Sequence, residues 1–196
     1  MSRPKLLQGV LLSVLAAAIS SPGVFAQSHK IDVKQSSFKI SVFKSGLFSA
    51  FGHSHEIQAP VAEGAVELAS SPSVSLRVES ASLRVLDPEA SASTRADIQK
   101  TMQGPDVLDI QHFPEISFQS TGVEPVGSAH WRVRGDLTLH GEKKPLTLDV
   151  ALEDGHYRGS VVLKQRDFGI TPVSVAGGTV KIKNEIKIEF DIVLEP

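Results

Sequence analysis

The residues whose types and spacing best suit chemistry are histidines. In His53-Ser54-His55 two imidazoles stand at positions i and i+2, which share one face of a strand. Two or three histidines with a carboxylate form a zinc site, and His112 and His140 are further candidates that the fold could bring near. Hydrogen-bonded loop histidines are the alternative. Because the sequence does not identify a third ligand, a histidine-based metal site is a second hypothesis rather than the first.

Other catalytic patterns are weak. The chain has no cysteine, which excludes thiol catalysis, disulfides, cysteine zinc sites and iron–sulfur clusters. No Gly-x-Ser-x-Gly element occurs, and Gly177-Gly178 lacks the Lys-Ser/Thr pair of a phosphate loop. The acids between Asp87 and Asp109 fit a solvated face or helix caps better than a glycosidase pair. We therefore expect a protein that is not an enzyme and uses no cofactor.

The composition is that of one globular domain. The chain has 196 residues, of which 41% are hydrophobic and 21% charged. Its 20 Lys and Arg against 22 Asp and Glu give a formal net charge of −2. A nucleic-acid binder needs a surplus of basic residues, so we expect no nucleic-acid partner.

The N-terminus has the three-part order of a secretory signal. Arg3 and Lys5 precede an apolar run that ends in small residues at Ala26. The run is about 14 residues long, roughly 21 Å as a helix, and is too short to cross a hydrocarbon core of about 30 Å. An uncleaved anchor is the alternative. We expect a mature chain of residues 27–196 that is periplasmic or secreted, with no stable membrane insertion.

The rest of the chain predicts strands. From Glu115 onward apolar and polar residues alternate, which is typical of strands with one buried face. The run from Val180 to Leu194 is the cleanest, with apolar residues at even positions and charges between them. A strand of about 15 residues is rarely flat and usually coils around a barrel. Asp154-Gly155 predicts a hairpin.

The first half repeats this alternation less regularly. The alternation slips by one residue near Ala81-Ser82, which predicts a β-bulge. Residues 45–52 predict a short helical turn. Residues 91–103, which end at Gly104-Pro105, predict one helix that seals an edge or an end of the sheet.

Because each predicted strand has one apolar face, the sheet needs a partner for that face. We predict an all-β fold, a lipocalin-like closed antiparallel β-barrel of about eight strands with one short helix inserted near residues 91–103. Its interior would be lined by Phe, Ile, Leu and Val, either packed or holding one apolar ligand. A two-sheet sandwich is the alternative, since period alone does not separate the two.

Three stretches resemble the YceI-like family of exported bacterial proteins. Residues 135–141, Gly-Asp-Leu-Thr-Leu-His-Gly, followed by Lys144-Pro145, are similar to its Gly-x-Leu-Thr-x-His-Gly-x-x-(Lys)-Pro signature. Residues 112–121 resemble its Phe-Pro-x-x-x-Phe-x-Ser stretch, and residues 166–170 resemble its Asp-Phe-Gly-Ile element. The resemblance implies a single barrel domain over residues 27–196, with an apolar tunnel for a long isoprenoid or similar lipid-like amphiphile.

The sequence also departs from that family. Members usually carry two histidines near the start of the domain, and residues 31–44 carry neither. The segment Phe51-Gly52-His53-Ser54-His55 appears instead, which resembles a divergent branch. Head-group contacts that the family makes through the missing histidines are therefore not predicted here.

These observations name two sets of ligand-binding candidates. The predicted donors to a polar head group at the tunnel mouth are His53, His55 and Arg166. The predicted wall residues, each of which also suits a plain core, are Phe38, Phe51, Phe118, Trp131, Phe168 and Phe190. The first hypothesis is a non-enzymatic periplasmic carrier that sequesters an apolar ligand. The alternative is a histidine-based metal-binding protein with its site at the barrel mouth.

The signal segment gives the first testable prediction. N-terminal sequencing of the exported protein should return Gln27 as the first residue, because the small residues that end at Ala26 form the cleavage site. An exported form that still begins at Met1 would contradict cleavage.

Overall fold

A computed structural model of the chain describes residues 28–45, 55–68, 71–175 and 180–196. The predicted signal segment, the Gly177-Gly178 turn and all but the first residue of the predicted helical turn lie outside the described residues.

The described residues form twelve strands, one α-helix and two 3₁₀ turns. The strands are β1 (Ser28–Lys30), β2 (Ser37–Ser45), β3 (His55–Pro60), β4 (Glu63–Glu67), β5 (Ser73–Glu79), β6 (Arg84–Val85), β7 (Glu115–Gly127), β8 (His130–Leu139), β9 (Glu142–Glu153), β10 (His156–Lys164), β11 (Ser174–Val175) and β12 (Val180–Val193). The helix is α1 (Ala92–Gln103), and the 3₁₀ turns are Ser80–Ser82 and Gln165–Phe168. The all-β class with one inserted helix is confirmed.

All the strands belong to one curled antiparallel sheet. Their order is β1-β4-β5-β7-β8-β9-β10-β12-β2-β3-β6, with β11 paired to β12 beside this path. The alternative of a two-sheet sandwich is therefore wrong. The closed barrel of about eight strands is not confirmed, because the path holds eleven strands and, among the described residues, no strand ladder joins its two ends, β1 and β6.

The higher strand count has a local cause. Val61-Ala62 interrupts one apolar run between β3 and β4, and the 3₁₀ turn Ser80–Ser82 interrupts another between β5 and β6. The slip in alternation near Ala81-Ser82 is therefore a 3₁₀ turn and not the predicted β-bulge. Ser80 is almost fully buried there, and its hydroxyl donates to the carbonyl of Phe113 at 2.8 Å.

The helix seals a sheet edge, as the sequence predicts. It begins after Ser91, whose hydroxyl accepts a hydrogen bond from the N–H of Thr94, and it ends at Gly104. The side-chain amide of Gln99 accepts from the N–H of Val85 and donates to the carbonyl of Leu83, both at 2.8 Å. Gln99 thereby supplies the hydrogen bonds that a further strand would otherwise make with β6.

Strand β12 shows the alternation that the sequence predicts. Its residues Ile186, Ile188, Phe190 and Ile192 line the interior of the curled sheet. Lys187 and its neighbours of the same parity lie on the outer face, where the ammonium of Lys187 is 2.8 Å from the carboxylate of Glu189. The pairing of β12 with β2 is irregular between Ile182 and Ile186.

The predicted hairpin at Asp154-Gly155 is confirmed, with φ of 52° and 83° at its two residues. His140-Gly141 joins β8 to β9 in the same way, with φ of 51° and 75°. The two turns lie at opposite ends of the sheet, since β9 runs from one to the other.

The orientation of β12 gives a stability prediction. Ile188→Asp should lower the free energy of unfolding by about 3 kcal/mol or more, because it places an unpaired charge in the apolar interior. Lys187→Gln, the matched outer-face change, should cost about 1 kcal/mol or less, since it removes only an exposed ion pair. Urea denaturation of both variants measures the difference. Equal losses would contradict the assigned faces.

Candidate functional site

The interior of the curled sheet contains a cavity of about 450 Å³. This volume lies within the range of about 300–1,000 Å³ that is typical of small-molecule sites. The described lining is dominated by Val, Leu, Ile and Phe side chains from strands around the whole sheet. An apolar cavity of this kind favours apolar ligands.

The structure places five of the six predicted wall residues around this cavity. Those that line it are Phe38, Phe118, Trp131, Phe168 and Phe190. Phe51 lies outside the described residues. These five side chains are observed to line the cavity. Their contact with a ligand stays a prediction.

Two glycines make room for two of these aromatic rings. The inner face of β8 carries Gly135, where a Cβ would overlap the ring of Phe118. The inner face of β10 carries Gly159, where a Cβ would overlap the ring of Phe190. The glycines that break the apolar alternation are therefore positions where a neighbouring ring covers the backbone.

The three stretches that carry the family resemblance meet at one end of the cavity. The ring of His140, which lies in the β8–β9 turn, packs at a tilt of 55° against the ring of Phe113, with a centroid distance of 4.4 Å. Its Nδ1 lies 3.2 Å from the carbonyl oxygen of Phe168. Gly141 has φ of 75°, and a Cβ there would lie 2.6 Å from the Phe113 ring. One residue from each stretch thus builds a single seal.

Buried residues complete the seal at this end. Phe168 is 3% exposed, and it packs in one cluster with Met102, Leu108 and Leu139. The side-chain amide of Gln165 donates to the carbonyl of Lys183 at 2.8 Å. This bond ties the second 3₁₀ turn to β12 where the ladder with β2 is irregular.

Arg166 also lies at this end. Its backbone N–H donates to the side-chain oxygen of Asn184 at 3.0 Å, and its side chain is exposed. It is not among the described residues that line the cavity. The predicted contact between Arg166 and a ligand head group therefore stays a prediction.

His55 forms a structural link at the same end. Its Nδ1 lies 2.6 Å from Oδ2 of Asp87, and Oδ1 of Asp87 accepts from the N–H of Glu56 at 2.7 Å. These bonds join the start of β3 to the turn before α1. His55 does not line the cavity, and His53 lies outside the described residues. A head-group contact through either histidine stays a prediction.

The described residues supply no metal cluster. Among them no group of three or more His, Asp or Glu lies close enough to hold an ion. His112 pairs with Asp109 at 2.8 Å, and His140 is engaged by Phe113 and Phe168. The further histidines that were candidates to join His55 are thus in separate contacts.

The cavity reaches the surface at the opposite end. Leu68 and Pro72 are the exposed residues among its described lining, and Leu68 is 49% exposed. They flank the connection between β4 and β5. Antiparallel strands reverse direction at each turn, which puts this connection at the end away from His140.

Trp131 and Tyr157 mark this open end of the cavity. Trp131 is the second residue of β8 and Tyr157 the second of β10, so both follow turns at this end. Both side chains line the cavity, and their ring centroids lie 5.9 Å apart. Sequence reasoning included Trp131 in the wall but did not identify Tyr157 as a site residue. Tyr157 has the same parity as Val161 and Leu163, and this alternation was the signal that could have placed its side chain in the cavity.

No helix in the described ranges is both long enough and apolar enough to cross a membrane.

The seal gives a prediction with a matched control. Gly141→Ala and Gly155→Ala both force alanine into left-handed backbone, which costs about 1 kcal/mol. A Cβ at Gly155 meets nothing within 4 Å, whereas at Gly141 it meets the Phe113 ring. We expect losses in unfolding free energy of about 3 kcal/mol for Gly141→Ala and about 1 kcal/mol for Gly155→Ala in urea denaturation. Equal losses would show that the contact with Phe113 does not constrain the turn.

Curated relatives are similar to this chain, one along most of its length and another over less than half of it. A UPF0312 protein of Vibrio cholerae serotype O1 is 27% identical over 188 residues, which cover 89% of this chain and 93% of the relative. A UPF0312 protein of Pseudomonas syringae pv. tomato is 35% identical over 88 residues, which cover 40% of this chain and 46% of the relative.

Solved structures share the fold. Burkholderia cenocepacia BcnA matches with a TM-score of 0.59 and 19% identity, over 83% of this chain and 98% of that one. A polyisoprenoid binding domain from Saccharophagus degradans, implicated in plant cell wall breakdown, matches with a TM-score of 0.56 and 13% identity, over 85% and 97%. At these identities the likeness concerns the fold.

The family model of the YceI-like domain matches residues 29–194. This span includes the cavity, the seal and the open end. The chain therefore belongs to the YceI-like domain family.

Proposed function

We propose that this protein is a non-enzymatic carrier that sequesters a long apolar chain, such as an isoprenoid, in the cavity. The observation that carries the proposal is the apolar cavity of about 450 Å³, which is sealed at His140 and reaches the surface at Leu68. Burial contributes about 0.8 kcal/mol for each CH₂, so ten such groups contribute roughly 8 kcal/mol before ordering costs. The Saccharophagus degradans structure is described as a polyisoprenoid binding domain, which supports the same class of ligand.

The proposal includes a closed barrel, because a carrier must keep water from its apolar interior. In the strand path β4 and β3 lie near opposite ends, although only Val61-Ala62 separates them in the chain. Ile31, which follows β1, forms a bridge with Leu194 after β12, and the N–H of Asp32 donates to the carbonyl of Val193 at 2.8 Å. These contacts support a sheet whose two ends overlap. If each run that a short break divides is taken as one strand, the sheet has about eight strands.

The proposal also includes the place where the protein acts. The positively charged start, the short apolar run and the small residues up to Ala26 support export to the periplasm or secretion. A carrier in that compartment moves or stores lipid-like molecules outside the cytoplasm.

Native mass spectrometry of the protein purified without detergent tests the carrier function directly. We expect additional mass of several hundred daltons that organic solvent extracts. A zinc-sized increment that a chelator removes, with no extractable chain, would favour the histidine alternative and contradict the carrier.

Blocking the cavity should abolish uptake. Val133 is 5% exposed and lines the cavity. Val133→Trp should fill space that the hydrocarbon chain of the ligand needs. Uptake of a fluorescent isoprenoid or fatty chain should therefore fall by about tenfold or more. The matched control is Arg132→Trp, the preceding residue, whose side chain lies on the outer face beside Asp149. It should leave uptake unchanged.

A second variant guards against misfolding of the first. Leu148 lies opposite Val133 on β9 and also lines the cavity. Leu148→Trp therefore narrows the cavity at the same depth, but from the neighbouring strand. Circular dichroism identifies which variants are folded. Normal uptake by a folded blocked variant would leave the carrier function without its mechanism.

A further inference from the structure

The only tryptophan and the only tyrosine of the chain lie side by side at the open end of the cavity. Trp131 projects from β8 and Tyr157 from β10, and β9 runs between those strands. Their ring centroids are 5.9 Å apart, and the ring planes are tilted by 49°. Tyr157 also packs against the cluster formed by Ile31, Val61 and Ile192. The pair therefore has a defined position at the point where the apolar wall meets water.

Each ring offers a polar atom beside an apolar surface. The indole N–H of Trp131 is a donor only, and the hydroxyl of Tyr157 both donates and accepts. In the described part of the chain no hydrogen bond engages either atom. Neither atom is among the buried polar atoms that lack a hydrogen-bond partner. Both groups are thus available to a ligand. Tyr and Trp are the residues that suit a site with one apolar and one wet end.

The charges around the cavity disfavour an anionic head group. No Lys, Arg or His is among the described residues that line it. Nearby arginines on the outer face are engaged: Arg132 with Asp149 at 2.9 Å, and Arg158 with Asp191 at 3.0 Å. A phosphate taken out of water needs such cations as partners. The described wall does not provide them.

The remaining charges near the open end act in the same direction. Arg134, a third arginine of the outer face, is also engaged, and its hydrogen bonds hold the pKa of the Glu124 carboxyl below its ordinary value. Glu67 is among the residues that line the cavity, and its Oε2 is buried with no hydrogen-bond partner among the described residues. A second anion placed at this end would be repelled by that carboxylate.

We propose that Trp131 and Tyr157 form the head-group subsite, and that this subsite selects a chain whose head is an uncharged hydroxyl or carbonyl over the same chain with a phosphorylated head. The inference rests on the proposed carrier function and adds the chemical class of the ligand. The apolar wall supplies affinity for the chain, and the two donors supply the choice of head.

Ligands that share one hydrocarbon chain test the inference. The probes are a long isoprenoid alcohol, its diphosphate, its amine and the hydrocarbon without a head group, each titrated into the mature protein purified without detergent. Trp131 reports binding through its own fluorescence, because the chain has no second tryptophan. We expect the alcohol to bind at least about tenfold more tightly than the diphosphate.

The variant Tyr157→Phe isolates the polar contribution. It keeps the ring and removes the hydroxyl, so the affinity for the alcohol should fall about three- to tenfold while the affinity for the headless hydrocarbon stays the same. Phe190→Leu is the control on the wall, and it should weaken all four ligands to a similar extent.

Each outcome bears on one of the two proposals. Diphosphate binding that equals or exceeds alcohol binding would overturn the inference and leave the carrier function standing. If the amine bound most tightly of the four ligands, the inference would also be overturned, and Glu67 would be the residue that recognises the head group. If none of the chains bound, the carrier function would fail, and the subsite would fail with it.

Discussion

One-sided burial of β12 is the constraint on which the rest of the structure depends. This strand pairs with β10 along one edge and with β2 along the other, and the bridge between Ile31 and Leu194 lies just past its end. A shift of one residue in its register would turn Ile188 and Phe190 to water and bring Lys187 and Glu189 inside. Because such a shift is so costly, the register of β12 fixes the strands on both sides and the wall of the cavity between them.

The sequence predicts features that depend on short spacings. Period two placed the alternating residues of β12, the dipeptide Asp154-Gly155 placed a hairpin, and Gly104-Pro105 placed the end of α1. Four of the predicted wall residues lie in such alternating runs, whereas Phe168 lies in a 3₁₀ turn. These features are set by neighbouring residues, so one sequence is sufficient to find them.

Features that depend on distant residues were not predictable in this way. The contact between His55 and Asp87 spans 32 positions, and nothing in His53-Ser54-His55 indicates it. Each turn lies at one end of the sheet or the other according to the number of strands that precede it. The open end of the cavity therefore depends on the whole strand order. The slip in alternation at Ser80–Ser82 does not distinguish a β-bulge from a 3₁₀ turn, and only the turn divides the run into two strands.

The residues that identify the family are distinct from those that we propose contact a ligand head group. The ring of His140 packs against Phe113, and its Nδ1 lies within hydrogen-bond distance of the carbonyl oxygen of Phe168. The signature histidine therefore stabilises the closed end of the cavity. Packing of this kind tolerates little change, because Gly141 leaves no room for a side chain beside Phe113. A resemblance carried by these residues therefore indicates the shape of the container and says little about its contents.

A cavity with one sealed and one open end gives the ligand a direction. In the proposed carrier, the tail of a long chain has no polar group to satisfy and fits the closed end beside Phe168, where the described wall is buried and apolar. In the proposed subsite, the head group lies beside the donors of Trp131 and Tyr157, where water is near. Methylene groups discriminate weakly between chains, so many tails share the deep part of the cavity. Selectivity in such a container must therefore come from the few polar atoms at its open end.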